Sequence, residues 1–231
     1  MKKIIICALI SLKSILMYSQ QYDPSTDWAF LTKYAKDNQE LISSKAKIDV
    51  VFMGNSITEG WNYIEPEFFK NNHYVNRGIG GQTSSQMVLR FYQDVILLNP
   101  KVVIILTGIN DIAANQGPTS NEMIQNNIKA MVDMAHAHNL KIIICSILPA
   151  NRFSWRPTIN PTQRVLEMNH WIEQFCSDKK IYFCNYVPSL TDANNGLRND
   201  LGEDGVHPNK KGYEIMKSIL APIIKTALYA K

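Results

Sequence analysis

Charge of one sign, cysteine and long apolar runs are all scarce in this 231-residue chain, and each shortage removes a class of function. The formal net charge is +4, but three of the 24 basic side chains, Lys2, Lys3 and Lys13, lie in residues 1–20, which hold no acid. Without that stretch, 21 basic side chains face 20 acidic ones. The electrostatic footprint of a partner such as nucleic acid or an anionic membrane is missing. Beyond Cys7 only Cys145, Cys176 and Cys184 remain, and an odd count argues against a disulfide framework, leaving at most a Cys176 to Cys184 bridge open. Cys145 and Cys184 sit in apolar runs, where a free thiol behaves as a small buried hydrophobe. Repeats, low-complexity tracts and linkers are absent.

The apolar run 4–12 behind Lys2 and Lys3, weakening towards Tyr18 and ending in Ser19-Gln20-Gln21, is too short to span a membrane. It has the layout of an export signal, although Lys13 interrupts it and no Ala-x-Ala site follows. Ile6 stands where a lipoprotein cleavage site needs a small residue before Cys7, so no lipid anchor is expected. The expectation is a signal peptide over 1–20 and one domain over 21–231, exported to a periplasm or secreted. With 45% hydrophobic residues, the chain can build one substantial core and not two.

What is present alternates strand with helix. Residues 25–42 carry Trp28, Leu31, Ala35, Asn38 and Leu41 at mostly helical spacing. Strands are expected at 48–53, 74–76, 102–106, 141–148 and 181–187, nearly all apolar. Helices are expected at 84–98, at 119–138, around Val165, Met168, Ile172 and Phe175, and at 209–228 with a kink at Pro222. Strands apolar on both faces imply a parallel sheet covered on both sides, hence an α/β chain of three layers, α/β/α. By analogy the five strands take the flavodoxin-like order 2-1-3-4-5. The loops 149–161 and 188–206 are long enough to suggest function.

Small and polar clusters fall at strand ends, where open α/β sheets place their chemistry. The run Val50-Val51-Phe52-Met53 stops at Gly54-Asn55-Ser56, which presents the Ser56 hydroxyl. Gly54-Asn55-Ser56-Ile57-Thr58, Asn76-Arg77-Gly78-Ile79-Gly80-Gly81, Gly108-Ile109-Asn110-Asp111 and Asp204-Gly205-Val206-His207 resemble, in order and spacing, the four blocks of the SGNH (GDSL-type) hydrolases, including platelet-activating-factor acetylhydrolase-like and carbohydrate esterase members. The resemblance runs from about Ile48 to the last helix. It implies Ser56 as nucleophile, His207 as base, Asp204 as the partner that orients the histidine, and an oxyanion hole of Ser56, Gly81 and Asn110. Gly80 leaves the glycine assignment open by one residue. Asn55 replaces the family's Asp, a change that bears on turn hydrogen bonding more than on chemistry.

The residue types suit the chemistry. A serine hydroxyl needs a base to become a nucleophile, imidazole serves as that base, and a carboxylate fixes its tautomer. Rival motifs fail: Thr58 breaks Gly-x-Ser-x-Gly, and Thr83 stands where a dinucleotide loop needs its third glycine. His136 and His138, two apart on a helix, face different ways, so no metal or other cofactor is called for. Trp61 beside the nucleophile turn and Trp155-Arg156 after the fourth strand are candidate substrate contacts, with Tyr63 and Asn194-Asn195 suiting a sugar. The reading is a serine esterase removing short acyl groups, foremost acetyl, from a carbohydrate or other small-molecule ester. Alternatives are a lysophospholipase or thioesterase-type lipid acylhydrolase, and a catalytically silent carbohydrate-binding protein on the same scaffold.

Overall fold

A computed structural model describes residues 27–229. The expected signal peptide lies outside the described residues. Five strands, β1 (Val50–Gly54), β2 (Tyr74–Gly78), β3 (Val102–Leu106), β4 (Lys141–Cys145) and β5 (Tyr182–Cys184), form one sheet in the order β2-β1-β3-β4-β5. All four pairings are parallel, with Val50 opposite both Tyr74 and Val102, Val102 opposite Lys141, and Ile143 opposite Tyr182. Every residue of β1 and β3 is buried, as an apolar strand sandwiched between helix layers must be. The expected fold class and strand order therefore hold.

The helices are α1 (Ala35–Ser43), α2 (Ser56–Ile64), α3 (Pro66–Lys70), α4 (Ser84–Asp94), α5 (Ile109–Ile112), α6 (Asn121–Ala137), α7 (Thr162–Lys179), α8 (Val187–Leu190) and α9 (Lys210–Tyr229). On α6 the buried stripe Ile124, Ile128, Met131, Val132 and Ala135 faces the core, while Ser120 caps its start by accepting the Met123 N–H at 3.1 Å. Helix α9 runs through Pro222, which lies on an exposed face.

Several expectations need correction, beginning with the strands expected over 141–148 and 181–187, which span only Lys141–Cys145 and Tyr182–Cys184. Residues 27–34 are turns rather than helix, because the Asp27 carboxylate accepts the N–H groups of Leu31 and Thr32 and Phe30 takes a left-handed φ of 54°. That stretch is a strap whose carbonyls are bound by glutamines: Gln86 reaches Trp28 O, Gln82 reaches Ala29 O and Gln93 reaches Leu31 O. The helix expected over 84–98 ends at Asp94, and a 3₁₀ turn over Ile96–Leu98 continues it. Trp61 does not line a site. It is 2% exposed, stacks on Phe68 with centroids 5.5 Å apart, meets Phe52 edge-on at 5.9 Å and donates to Glu65 Oε2 at 3.0 Å. Cys145, Cys176 and Cys184 are free and buried, so the bridge left open between Cys176 and Cys184 is absent.

Candidate active site

The carboxyl ends of β1 to β4 and the loop before α9 each deliver one part of the site. After β1 the chain turns into α2 with Asn55 as cap, its Oδ1 accepting the Ile57 N–H at 3.2 Å, so Ser56 occupies the first helical position. The Ser56 backbone N–H is one of the donors a helix start leaves unpaired, and it has no acceptor among the described residues. Ser56 Oγ lies 2.8 Å from His207 Nε2, and His207 Nδ1 lies 2.5 Å from Asp204 Oδ2. The other Asp204 oxygen accepts the N–H groups of Val206 and His207 at 2.9 and 2.8 Å. Partial burial pushes the Asp204 carboxyl up, but the His207 and Val206 donors outweigh it and hold the group below the usual carboxylate range. An ionised Asp204 only accepts, so Nδ1 carries the proton, Nε2 is left as the acceptor, and the Ser56 hydroxyl donates to it. The histidine and aspartate side chains keep 39% and 37% of their surface, so the site is open to solvent.

The glycine loop after β2 is held against the first turn of α2. A side chain at Gly78 would place its Cβ 2.1 Å from the Glu59 backbone nitrogen, so nothing larger fits. Gly80 donates its N–H to Glu59 Oε2 at 2.8 Å, and Glu59 pairs in turn with Lys33 of the strap. Gly80 is thus committed to Glu59. The next N–H, on Gly81, has no acceptor among the described residues, and a φ of 76° turns that peptide into the left-handed region that glycine favours. The ideal Cβ position of Gly80 falls 3.9 Å from Ser56 Cβ, which fixes the loop beside the serine.

After β3, Asn110 is 3% exposed and donates from Nδ2 to Gln82 O at 2.9 Å, leaving one amide hydrogen uncommitted. Its neighbour Asp111 is fully buried and ties this loop to the start of α4, accepting the Ser84 N–H at 2.9 Å and the Ser84 hydroxyl at 2.6 Å. Burial lifts the Asp111 carboxyl despite those two bonds. Sequence reasoning missed Asn115, five residues on. Its amide nitrogen donates to Asn110 Oδ1 at 3.0 Å and to Gly81 O at 3.4 Å, while its oxygen accepts the Trp155 indole N–H at 3.0 Å. Its only sequence signal was an Asn-Gln-Gly turn just past the Asn110 block.

After β4, Trp155 is 39% exposed and its ring centre stands 6.2 Å from that of His207. Arg156 is exposed, and its guanidinium makes no hydrogen bond or ion pair among the described residues. Asn151 donates to Asn194 O at 3.4 Å, joining the two long loops. Behind the nucleophile turn Asn55, Ile57, Leu106, Thr107, Ile109, Ile147 and Leu148 pack together with no space for even a water molecule between them. Among the described residues no group of His, Cys, Asp and Glu is arranged to hold a metal.

A sequence model of the GDSL-like lipase/acylhydrolase family matches residues 52–215. A crystal structure from Bacteroides fragilis NCTC 9343, described as an acylhydrolase, shares 41% identity with a TM-score of 0.84, covering 87% of this chain and 98% of that one. A GDSL-like lipase from Bacteroides thetaiotaomicron VPI-5482 shares 42% identity with a TM-score of 0.83, covering 86% and 98%. Lipoprotein YqeF of Bacillus subtilis (strain 168), itself uncharacterized, is 30% identical over 118 residues, 44% of this chain and 49% of that protein. The match thus spans about half the length of that curated relative.

Proposed function

Because the chain belongs to the GDSL-like lipase/acylhydrolase family, we propose that it is a serine esterase that removes short acyl groups, foremost acetyl, from a carbohydrate. The observation that carries the esterase reading is the unbroken chain from Ser56 Oγ through His207 to Asp204, at 2.8 and 2.5 Å. In this reading Ser56 Oγ attacks the ester carbonyl as its proton passes to His207 Nε2, and Asp204 stabilises the imidazolium that forms. The oxyanion is met by the N–H groups of Ser56 and Gly81 and the second amide hydrogen of Asn110. Collapse releases the alcohol with the proton from His207 and leaves an acyl-Ser56. Water, deprotonated by His207, then frees the acid. No step calls for a cofactor.

The substrate class is supported by the openness of the site. His207 and Asp204 are over a third exposed, the Trp155 ring stands next to His207, and the packing behind Ser56 leaves no space for a water molecule. A long acyl chain needs an enclosed apolar groove, whereas a bulky polar alcohol needs room and an aromatic edge. Residues 1–20 support the proposal that this single domain, 21–231, is exported.

The test is hydrolysis of p-nitrophenyl esters from acetate to palmitate beside acetate release from acetylated oligosaccharides, with Ser56→Ala as control. The expected outcome is acetate preference, sugar deacetylation, and loss of about 10⁴-fold or more of kcat in Ser56→Ala. Rising activity with acyl length would overturn the carbohydrate reading, and a fluorophosphonate that labels both proteins equally would overturn the nucleophile.

A further inference from the structure

Two of the exposed aromatic rings in this protein are pinned to consecutive residues of one loop. Trp155 gives its indole N–H to Asn115 Oδ1 and Trp28 gives its own to Gln116 Oε1, both at 3.0 Å. That loop is the one that carries Asn110, whose carbonyl accepts the Asn115 backbone N–H at 3.0 Å. Trp155 is backed by Phe153 at 5.1 Å. Trp28 is fixed through its backbone as well, since Gln86 Nε2 donates to its carbonyl at 2.6 Å and Gln82 Nε2 to the next at 2.8 Å. Gln82 is also the residue whose carbonyl accepts the Asn110 amide. Trp28 is therefore anchored on both sides of the oxyanion loops although it lies 28 residues before Ser56.

Two indoles left 47% and 39% exposed forgo burial that a large apolar side chain otherwise gains. In each ring the polar edge is consumed within the protein, so a ligand meets only the π-face. Rigid indole faces framed by side-chain amides suit a ring that is apolar on one face and hydroxylated at its rim, which describes a pyranose. The covalent path from Asn115 to Gln116 and the two hydrogen bonds keep the indole nitrogens within about 18 Å of each other. That is the reach of a short oligosaccharide.

We propose that Trp28 forms an outer binding site for a sugar residue of the same glycan whose ester is held at Ser56, with Trp155 as the inner platform, so that the substrate is an acetylated oligo- or polysaccharide. This rests on the carbohydrate esterase reading and extends it from the acylated sugar to its neighbours along the chain.

The experiment uses the full chain with Ser56→Ala to prevent turnover, titrated with acetylated gluco-, xylo- and manno-oligosaccharides from dimer to hexamer and followed by calorimetry. Affinity is expected to rise with length for at least one series. Adding Trp28→Ala is expected to erase about tenfold of that gain, while Trp28→Phe, which keeps a ring but loses the bond to Gln116, retains most of it. In the Ser56 protein Trp28→Ala should raise KM for the long substrate with kcat for it little changed, and Trp28→Phe should raise KM far less. Equal losses in Trp28→Ala and Trp28→Phe would make the residue a loop anchor and overturn the site. Absence of any length effect, or Trp28-dependent binding to phosphatidylcholine vesicles in its place, would overturn it too. If acetate is released from short sugars under either result, only the outer site fails; if no Ser56-dependent release occurs, the esterase reading itself fails.

Discussion

In the mechanism proposed above, Asn115 decides how well an oxyanion is met, because one side chain holds both of the donors assigned there besides Ser56. Its Nδ2 donates to Asn110 Oδ1, which prevents the Asn110 amide from flipping and keeps its nitrogen towards Gln82 and the site. The same nitrogen reaches Gly81 O. Asn115→Asp preserves size and the acceptor for Trp155 but sets a carboxylate against two oxygens. We expect it to lower kcat by about ten- to a hundredfold with KM changed less than about threefold, short of the 10²–10³ typical of deleting an oxyanion donor. Steady-state kinetics beside a thermal melt is the check, and a variant with unchanged kcat, or one that only melts earlier, would show Asn115 to be a structural turn. Ser56, Asp204, His207 and Asn110 could be singled out from the sequence because the four blocks that carry them resemble those of the SGNH hydrolases in order and spacing, and the structure joins Ser56, His207 and Asp204 in one hydrogen-bonded chain. Asn115 could not, since its role depends on what it touches and an Asn before Gln-Gly reads as a turn. Trp61 misled for a related reason. Its place five residues after Ser56 says where it is along α2, not that this face of the helix turns into the core beside Phe52 and Phe68.

At the scale of elements, the strands were legible because a parallel sheet covered on both sides leaves near-continuous apolar runs. Strand ends were overestimated where side chains take over the ladder. β4 stops at Cys145, for instance, because the Ile147 N–H goes to Asn169 Oδ1 at 2.7 Å and the Tyr186 N–H to Ser146 Oγ at 2.9 Å. The strap was illegible because helical spacing in 25–42 says nothing of the distant glutamines that bind it. What joins these elements under the site is a buried polar cluster. Arg90, fully buried on α4, reaches Asp94 Oδ2 at 2.9 Å, Gln82 Oε1 at 2.6 Å and the β1-terminal Gly54 O at 2.9 Å. Asn38 of α1 donates to Asp94 Oδ1 at 2.7 Å and accepts from Arg77 of β2 at 2.9 Å. Burial pushes the Arg90 guanidinium down and Asp94 opposes that shift, so the pair depends on staying intact. Breaking a buried pair by removing one partner costs about 3–5 kcal/mol, because the remaining charge is stranded. Arg90→Met should therefore lose about that much in urea unfolding. Arg90→Met with Asp94→Asn, which keeps the acceptor for Asn38, should recover at least about 1 kcal/mol. A double variant no more stable than the single would refute this account of what fastens α1, α4 and the ends of β1 and β2 together.

Over the whole molecule, stability in acid is set by carboxylates clamped at both edges of the sheet. Asp49, just before β1, is pushed up by burial but more than compensated by Lys101 at 2.8 Å and Lys47 at 3.3 Å. At the other edge, in the loop that ends in His207, Arg198 and then Lys211 bring Asp200 down to about 2 from 3.8. Asp204 is lowered in the same sense. A carboxyl with a depressed folded pKa contributes stability that is whole above its unfolded value and is lost as pH falls through the folded one. Buried Asp111, which is raised, works the other way: its contribution is whole below 3.8 and declines as pH rises through its folded value. The melting temperature should therefore hold down to about pH 4 and fall below it. Asp200→Asn isolates one clamp. Its melting temperature should lie below wild type at pH 5, and the gap should close between about pH 4 and about pH 2, where wild-type Asp200 takes up its proton. Since Asp200 and Lys211 are exposed and Arg198 keeps 41% of its side-chain surface, 0.5 M salt should narrow the gap at pH 5 as well, by screening. A gap that stayed constant across that range, or that salt left untouched, would mean that the charge of Asp200 is not what fastens this loop; the backbone bond from Asn209 to the Asp200 carbonyl at 3.1 Å, present in both proteins, would contribute to no gap at all.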